Sequence, residues 1–249
     1  MSTMLSYLMF ALSASASVLA TVVPTNEQAA VRRSAPDELS SWTGASLSAS
    51  VATYKSITAT FTVPTPGAPS GGSSTTPYGA AVWVGIDGEN CGNSILQTGL
   101  NFTVLGGAVT YNAFSEWWPD NPRILPNMLF SAGDQVKLTV TANSATSGTT
   151  VIENLTKGTQ TSRQLTSSKA LCQSQVEWIV EDYNNGNGLV PFANFGTVFF
   201  SPASVTTLSG SSIGPAGATN WAFEEFTYPW AVVTDTTIAA SSVKVVYTG

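Results

Sequence analysis

Hydrophobic and polar residues alternate along much of the chain. Residues 57–63 place apolar side chains on one face of an extended segment and threonines on the other. Residues 135–141 repeat this pattern, and residues 192–200 also predict a strand. An alternation with a period of two is typical of β-strands with one buried face. No long segment has the period of a helix, so the pattern predicts a chain built from strands.

Turn-forming residues separate these segments at short intervals. Pro and Gly dominate residues 64–67, and Gly, Ser, Thr or Asn fill residues 70–76 and 184–188. Many short strands with such turns predict an all-β fold, an antiparallel β-sandwich of two packed sheets of the concanavalin or jelly-roll type. Because no internal repeat and no linker follow residue 41, residues 34–249 are predicted to form a single domain.

Residues 1–20 have the features of a secretory signal peptide. An apolar run over residues 4–12 is too short to span a bilayer, and Val18-Leu19-Ala20 is a suitable cleavage sequence. Residues 21–33 are predicted to be a short propeptide or leader. Arg32-Arg33 indicates a processing site or, alternatively, two solvated arginines in a linker. The mature protein is expected to be secreted, extracellular and not bound to a membrane.

The chain contains no histidine, and this absence excludes several kinds of chemistry. A Ser-His-Asp triad and a Cys-His dyad both need an imidazole base. We expect no metal ion and no other cofactor, since histidine ligands are absent and two cysteines cannot form a four-thiolate site. Nine Lys and Arg residues in a chain of net charge −6 give no surface for nucleic acid. An acid–base catalyst must therefore be a carboxyl group, a lysine or a tyrosine.

The chain contains two cysteines and two N-glycosylation sequons, which are sites of modifications that secreted proteins carry. Cysteines in secreted chains usually pair, so Cys91 and Cys172 are expected to form a disulfide, with two separate buried thiols as the alternative. Asn101 and Asn154 begin N-glycosylation sequons, and such triplets also arise by chance in chains rich in Asn and Thr. The sequence leaves the use of both sequons open.

Three predicted strands carry unusual residues on the face opposite the core. If these strands are neighbours, one surface collects aromatic rings, carboxylates and an amide, a composition that suits a groove for an extended peptide or sugar polymer. An ordinary solvated amide is the alternative for Gln97 taken alone. Strand parity places Trp117 on the core side. The residues predicted to share the groove face are Trp83, Gly85 and Asp87, then Gln97 and Gly99, then Asn112, Phe114, Glu116 and Trp118.

A fourth strand, predicted over residues 176–183, contains three acidic residues. Glu177 and Glu181 share one face, whereas Asp182 points to the other. Glu177 and Asp182 are expected at a solvent-exposed edge, as most carboxylates are. A carboxyl at Glu181 among apolar neighbours would be desolvated, which raises its pKa and keeps a proton available. By its position alone, Glu181 is either functional or structural.

Four segments together resemble the glutamic peptidases, the eqolisin family of secreted fungal acid endopeptidases. The resemblance extends more loosely from Trp42 to about Phe200, and beyond about Gly210 the chain resembles the family poorly. Glu224 and Glu225 are expected in solvent. The four segments are residues 83–88 (WVGIDG), 95–99 (ILQTG), 116–119 (EWWP) and 178–182 (WIVED).

The resemblance implies a hydrolase in which Gln97 and Glu181 form the catalytic pair. Glu181 would act as general base on a water and then as general acid to the leaving amine. Gln97 would orient the water and donate a hydrogen bond to the oxyanion. It also implies a sandwich fold with a concave substrate face and a Cys91–Cys172 disulfide. Such a pair needs no histidine and suits an acidic medium.

The resemblance further implies that substrate contacts involve Trp83, Asp87, Phe114 and Glu116. Phe114 stands where well-known members carry Trp, and two acids near the groove are replaced by Asn101 and Asn112. The expected partners are polypeptide substrates, and the chain is expected to be a monomer that binds neither nucleic acid nor, once the signal is removed, a membrane.

Two other functions are compatible with the residues. A β-sandwich glycosidase would use a pair of carboxylates such as Glu116 and Glu181. A lectin-like domain would bind carbohydrate through the aromatic face without turnover.

Overall fold

The structure, a computed structural model, describes residues 41–222, 224–225 and 231–249. The predicted signal peptide and leader lie outside these residues. So does the expected exposure of Glu224 and Glu225, because only the backbone of these two residues is described. The described residues contain no α-helix. None of them therefore belongs to a helix long and apolar enough to cross a membrane.

Strands follow one another along the described chain with short connections. In chain order they are β1 (Trp42–Ser48), β2 (Tyr54–Thr62), β3 (Tyr78–Ile86), β4 (Ile95–Leu105), β5 (Ala108–Trp118), β6 (Arg123–Ile124), β7 (Gln135–Ser144), β8 (Ser147–Asn154), β9 (Thr159–Thr166), β10 (Gln175–Glu181), β11 (Thr197–Phe200), β12 (Ala203–Thr207), β13 (Ser212–Ile213), β14 (Thr219–Trp221), β15 (Glu224–Glu225), β16 (Ala231–Val232), β17 (Thr234–Ala239) and β18 (Ser242–Tyr247).

Two large antiparallel sheets dominate the fold. The seven-stranded sheet has the order β14-β1-β10-β3-β4-β5-β6, and the six-stranded sheet has the order β13-β12-β2-β7-β8-β9. A three-stranded sheet, β11-β18-β17, and the pair β15-β16 complete the described strands. Buried side chains of both large sheets belong to one hydrophobic core. The predicted all-β sandwich of two packed antiparallel sheets is confirmed.

Alternation along the strands decides which side chains enter this core. Val82, Val84 and Ile86 of β3 enter it, as the sequence pattern predicts. Trp117 also lies in the core, with 1% of its surface exposed. Burying side chains of this size contributes about 1.5–3 kcal/mol each to stability. Strand β3 is buried along its whole length, so its second face is covered as well.

The strand predicted over residues 192–200 is shorter than expected. Only Thr197–Phe200 forms a strand, β11. Upstream of it, the rings of Phe192 and Phe195 pack edge to face at 5.6 Å, and both approach Tyr247. The apolar residues in this segment are therefore explained by aromatic packing rather than by pairing in a sheet.

The predicted disulfide is confirmed, and one sequon is inaccessible. Cys91 and Cys172 are bonded across a sequence separation of 81 residues, for which the loop-entropy account gives a stabilisation of about 4–5 kcal/mol. Asn154 is 1% exposed, and its Nδ2 donates to Asp134 at 2.8 Å and to the carbonyl of Leu129 at 3.2 Å. A glycan on this nitrogen would break both hydrogen bonds.

Candidate active site

The seven-stranded sheet aligns the predicted site residues in three rows that run across its strands. The face concerned is the one opposite the core. The Gln97 row consists of Ser46, Glu177, Gly85, Gln97 and Glu116; the Trp83 row of Gly44, Ile179, Trp83, Gly99 and Phe114; and the Glu181 row of Trp42, Glu181, Ala81, Asn101 and Asn112. The strands that sequence parity treated as possible neighbours, β3, β4 and β5, are indeed adjacent, and β10 joins them next to β3.

Two glycines in these rows make room for the indole of Trp83. A Cβ on Gly99 would stand 2.5 Å from the Cβ of Trp83 and 2.2 Å from the carbonyl oxygen of Val82. A Cβ on Gly85 would stand 2.9 Å from Cζ3 of the same indole. Because real Cβ atoms do not approach so closely, only glycine allows the ring to lie along the sheet at these two positions.

A cleft of about 590 Å³ opens above the rows. Its wall contains Gln97 and Glu181 together with Asn101, Phe114 and Glu116. An apolar cluster lies beneath the cleft and includes Trp42, Trp83, Ile95, Phe114, Ile179 and Trp221. A concave site with a largely apolar floor and a few polar groups is typical of substrate-binding sites.

The carboxyl group of Glu181 is held by two tryptophans. Nε1 of Trp83 donates to Oε2 at 2.8 Å, and Nε1 of Trp42 donates to Oε1 at 3.2 Å. Burial raises the pKa of Glu181 to about 8, and the negative charge of Glu116 adds to the rise, whereas the two indole hydrogen bonds oppose it. The predicted desolvation of Glu181 is therefore present, and this carboxyl keeps its proton over the acidic range.

Gln97 is nearly buried and is fixed through its amide nitrogen. Its side chain is 6% exposed, and Nε2 donates to Oε2 of Glu116 at 2.6 Å. A carboxylate acceptor makes this a strong, short hydrogen bond. The amide carries two N–H groups, so one of them is left to act on a ligand in the cleft.

Three of the predicted positions differ from expectation. Glu177 and Asp182 are not at an exposed edge: they are 0% and 5% exposed, because neighbouring strands and the connections around them cover this part of the sheet. Asp87 does not face the cleft. It adopts a left-handed conformation with φ of 67°, and its carboxylate accepts hydrogen bonds from the backbone N–H groups of Gln173, Ser174 and Gln175. The expected contact between Asp87 and substrate is therefore not met.

Trp83 is also placed differently from the expected substrate contact. It is 0% exposed, and its polar atom is occupied by Glu181. In the structure, the indole N–H of Trp83 binds the carboxyl group of Glu181. Phe114 and Glu116, in contrast, line the cleft.

A comparison with known families decides the identity of this fold. A profile described as the Peptidase A4 family matches residues 40–247. The chain belongs to this family. The peptidase A4 match runs through the C-terminal strands, so the expectation that the chain departs from the family beyond about Gly210 is wrong. Within this C-terminal part, Trp221 pairs with β1, and its ring centroid lies 6.3 Å from that of Trp42 beside the site.

Individual relatives support the same assignment. Aspergillopepsin-2 of Aspergillus niger is 38% identical over 224 residues, which are 84% of this chain and 77% of the relative. Scytalidopepsin B of Scytalidium lignicola is 40% identical over 183 residues, 70% of this chain and 66% of the relative. The crystal structure of scytalido-glutamic peptidase with a peptide-based transition-state analogue has a TM-score of 0.71 at 34% identity and covers 83% of this chain and 98% of its own.

This peptidase A4 protein is a glutamic-type endopeptidase, a hydrolase of peptide bonds. The assignment disfavours the glycosidase and lectin-like alternatives. Sequence reasoning missed Trp42 and Trp221 as parts of the site. Trp42 was visible as the first residue of the resemblance, but its contact with Glu181 depends on the pairing of β1 with β10, whose partners are 139 residues apart along the chain.

Opposite substitutions around Glu181 should move the pH profile in opposite directions. Trp83→Phe removes an N–H donor that stabilises ionised Glu181, so its pKa rises further. Glu116→Gln removes a negative charge that raises this pKa, so the pKa falls. If ionised Glu181 is the base, we expect kcat/KM on the acidic limb to fall about tenfold in Trp83→Phe, the value of one charge-assisted hydrogen bond. We expect the limb to move to lower pH in Glu116→Gln.

The measurement is kcat/KM for one peptide at closely spaced pH values. The matched aromatic control is Phe199→Leu, which alters an exposed ring on β11, outside the wall of the cleft, and should leave the profile unchanged. If Glu181 instead entered the reaction as an acid, the acidic limb would stay in place and an alkaline limb would move, to higher pH in Trp83→Phe and to lower pH in Glu116→Gln.

Proposed function

We propose that the protein is a secreted acid endopeptidase in which Gln97 and Glu181 form the catalytic dyad. The observation that carries the proposal is the state of Glu181. Its carboxyl lies in the wall of the cleft, receives two indole N–H groups and has a pKa raised to about 8. Strongly shifted carboxyl groups in clefts are typical of catalytic acids and bases. Gln97 lines the same cleft, two strands away, with its amide already oriented.

In the proposed reaction, Glu181 first accepts a proton from water. The water oxygen bonds to the carbonyl carbon of the peptide, and the carbonyl electron pair moves to oxygen to form a tetrahedral oxyanion. Glu181 then returns its proton to the amide nitrogen as the C–N bond breaks, which releases a carboxylic acid and an amine. The raised pKa makes ionised Glu181 a stronger base and protonated Glu181 a proton reservoir for the leaving amine. The two indole N–H donors stabilise the ionised form of Glu181 and so limit the rise of its pKa.

Gln97 stabilises the oxyanion in this scheme. One N–H of its amide is bound to Glu116, and the second is directed to the charge that develops on the carbonyl oxygen. A preoriented neutral donor of this kind contributes about 100- to 1,000-fold to kcat in other acyl-transfer enzymes. An amide has no charge to lose at low pH, so the donor remains effective in an acidic medium.

The substrate is proposed to be an extended polypeptide. The cleft offers apolar contacts at Phe114 and polar contacts at Glu116 and Asn101. One relative has been solved with a peptide-based transition-state analogue, which supports a peptide ligand here. We further propose that the mature protein acts as a monomer outside the cell, without nucleic acid, a membrane or a cofactor.

The test is proteolysis by the secreted protein at about pH 3, a pH at which ordinary carboxyl groups are largely protonated. Denatured protein and a glucan are the two substrates, and an inhibitor of aspartic peptidases is present throughout. We expect cleavage of the protein only, and its loss in both Gln97→Ala and Glu181→Gln. Full proteolysis in either variant would refute the dyad, and hydrolysis of the glucan would favour the glycosidase.

A further inference from the structure

Glu177 is a fully buried acid that the proposed mechanism does not use. It is 0% exposed, and neither of its carboxyl oxygens has a hydrogen-bond partner among the described residues. An ionised carboxylate in such a place costs several kcal/mol in lost hydration, so the group is expected to be neutral. A neutral carboxyl group has one O–H to donate.

The charges around Glu177 also favour the neutral form. Burial raises the pKa of Glu177 well above its ordinary value, and the carboxylates of Asp87 and Glu89 raise it further. Gln175, at the start of the same strand, directs its amide to Glu89. Asp87 is occupied by backbone N–H groups. No cation offsets these charges at Glu177 in the part of the chain that the structure describes, where the ion pairs join Lys137 to Glu153 and Lys157 to Asp134.

The position of Glu177 brings it next to Gln97. The two residues belong to the Gln97 row and are separated by Gly85, which has no side chain. A Cβ on Gly85 would stand 2.6 Å from Oε1 of Glu177 and 3.3 Å from the Cβ of Gln97. The two side chains therefore meet above the glycine. Oε1 of Gln97 is likewise buried and has no partner among the described residues.

We propose that Glu177 is a positioning residue for Gln97, in which the neutral acid donates its proton to Oε1 of Gln97 while Glu116 accepts from Nε2. The side chains of Glu177 and Gln97 flank Gly85, and each carries a buried acceptor oxygen without a partner among the described residues, so one shared proton would satisfy an oxygen of each. The inference rests on the proposed role of Gln97 in catalysis, but the protonation of Glu177 does not.

This arrangement explains how the amide of Gln97 is kept in one orientation. A carboxamide has nearly the same shape after a 180° flip, so packing alone does not distinguish its oxygen from its nitrogen. A donor on one side and an acceptor on the other do distinguish them. The orientation that results sends the second N–H of Nε2 to the cleft. A glycine at position 85 is needed because any side chain would separate Glu177 from Gln97.

The first test compares two substitutions that differ only in hydrogen bonding. Glu177→Met keeps the length of the side chain and removes the donor, so the amide of Gln97 loses its orientation. We expect kcat to fall about 10- to 100-fold, part of the effect of losing an oxyanion donor, with KM changed less than about threefold. Glu177→Gln can donate through its own Nε2 and is expected to restore kcat to within about threefold of the wild type. Glu153→Met, on strand β8 of the other sheet, is the control.

The outcomes of this comparison are decisive. A folded Glu177→Met variant with wild-type kcat would overturn the proposal. So would a Glu177→Gln variant as inactive as Glu177→Met, since that result would require a charge on Glu177. A change confined to the unfolding midpoint, with kcat intact, would give Glu177 a purely structural role and would also overturn it.

Infrared spectroscopy tests the protonation of Glu177 without relying on activity or on the Met variant. A protonated carboxyl group has a C=O stretching band that a carboxylate lacks. Glu181, with a pKa of about 8, is also protonated at this pH, so the comparison is made in the Glu181→Gln background. At about pH 6, above the ordinary pKa of glutamate near 4.3, we expect a band in Glu181→Gln that is lost when Glu177→Gln is added. An unchanged band on adding Glu177→Gln would overturn the proposal. Full activity of Gln97→Ala with the band present would instead refute the proposed function and leave Glu177 protonated.

Discussion

Replacing Glu181 by Gln is expected to lower kcat about 1,000- to 10,000-fold, the contribution of general acid–base catalysis when one group serves in both steps. The substitution preserves the size of the side chain and its acceptor oxygen, so a hydrogen bond from Trp83 or Trp42 can persist. What is lost is the ability to take a proton from water and to return it to the amine. KM should change little, because the contacts of the cleft with the peptide remain.

The loss should be specific to Glu181 among the carboxyl groups. Glu153→Gln removes a carboxylate that pairs with Lys137 at 3.0 Å on the other sheet and should keep wild-type kcat. The measurement is kcat and KM with a single peptide in the acidic range. A Glu181→Gln variant within tenfold of the wild type would show that another group moves the proton.

The stability of the folded protein should decrease as pH rises from about 4.5 to about 8. Glu181 has a pKa of about 8 in the fold against an ordinary value of 4.5. Below the ordinary value both folded and unfolded states hold the proton, and the raised pKa costs nothing. Between the two values only the folded state holds it, so raising the pH favours unfolding. Since one pKa unit corresponds to about 1.4 kcal/mol, the cost at pH 7 is about 2–3 kcal/mol after allowance for the solvent access of the cleft.

Glu181→Gln should therefore be inactive yet more stable than the wild type at neutral pH. Glutamine does not ionise, so the unfolded state of the variant is not stabilised by ionisation as that of the wild type is. We expect a gain of about 2 kcal/mol in the free energy of unfolding at pH 7 and none at pH 3.5. Urea unfolding at both pH values measures this difference. An equal gain at both values would mean that packing, rather than ionisation, is responsible.

The same linkage supports an acidic working range. Glu177 contributes in the same direction as Glu181, because burial raises its pKa as well. Two buried acids thus weaken the fold as the medium approaches neutrality. If Glu181 has the proposed catalytic role, the protein gains a catalytic carboxyl group at the expense of stability at high pH, a trade-off typical of active sites.

Strand parity allowed much of the site to be predicted from sequence. A period of two places Gln97 and Glu116 on the groove face once their strands are known to be neighbours. The same rule placed Trp117 in the core. The absence of histidine and the four family segments narrowed the chemistry to a carboxyl group and an amide. These features depend on local patterns or on residue types, which a sequence displays directly.

Features that depend on long-range pairing were not predictable. Register between distant strands determines that Trp42 lies opposite Glu181 and that Glu177 lies opposite Gly85. A sequence pattern does not specify this register, and so Glu177 was expected in solvent. The hydrogen bonds that the Asp87 carboxylate accepts likewise come from backbone N–H groups that lie 86 to 88 residues further along the chain.

A double-mutant cycle on Gln97 and Glu181 tests the central claim most directly. It requires kcat/KM for the wild type, Gln97→Ala, Glu181→Gln and the double variant with one peptide at one acidic pH. Residues that act as one catalytic unit have strongly non-additive effects. We predict a loss of at least about 100-fold for Gln97→Ala and a double variant no worse than Glu181→Gln within about threefold. Wild-type activity in either single variant, or losses that multiply in the double variant, would contradict the dyad.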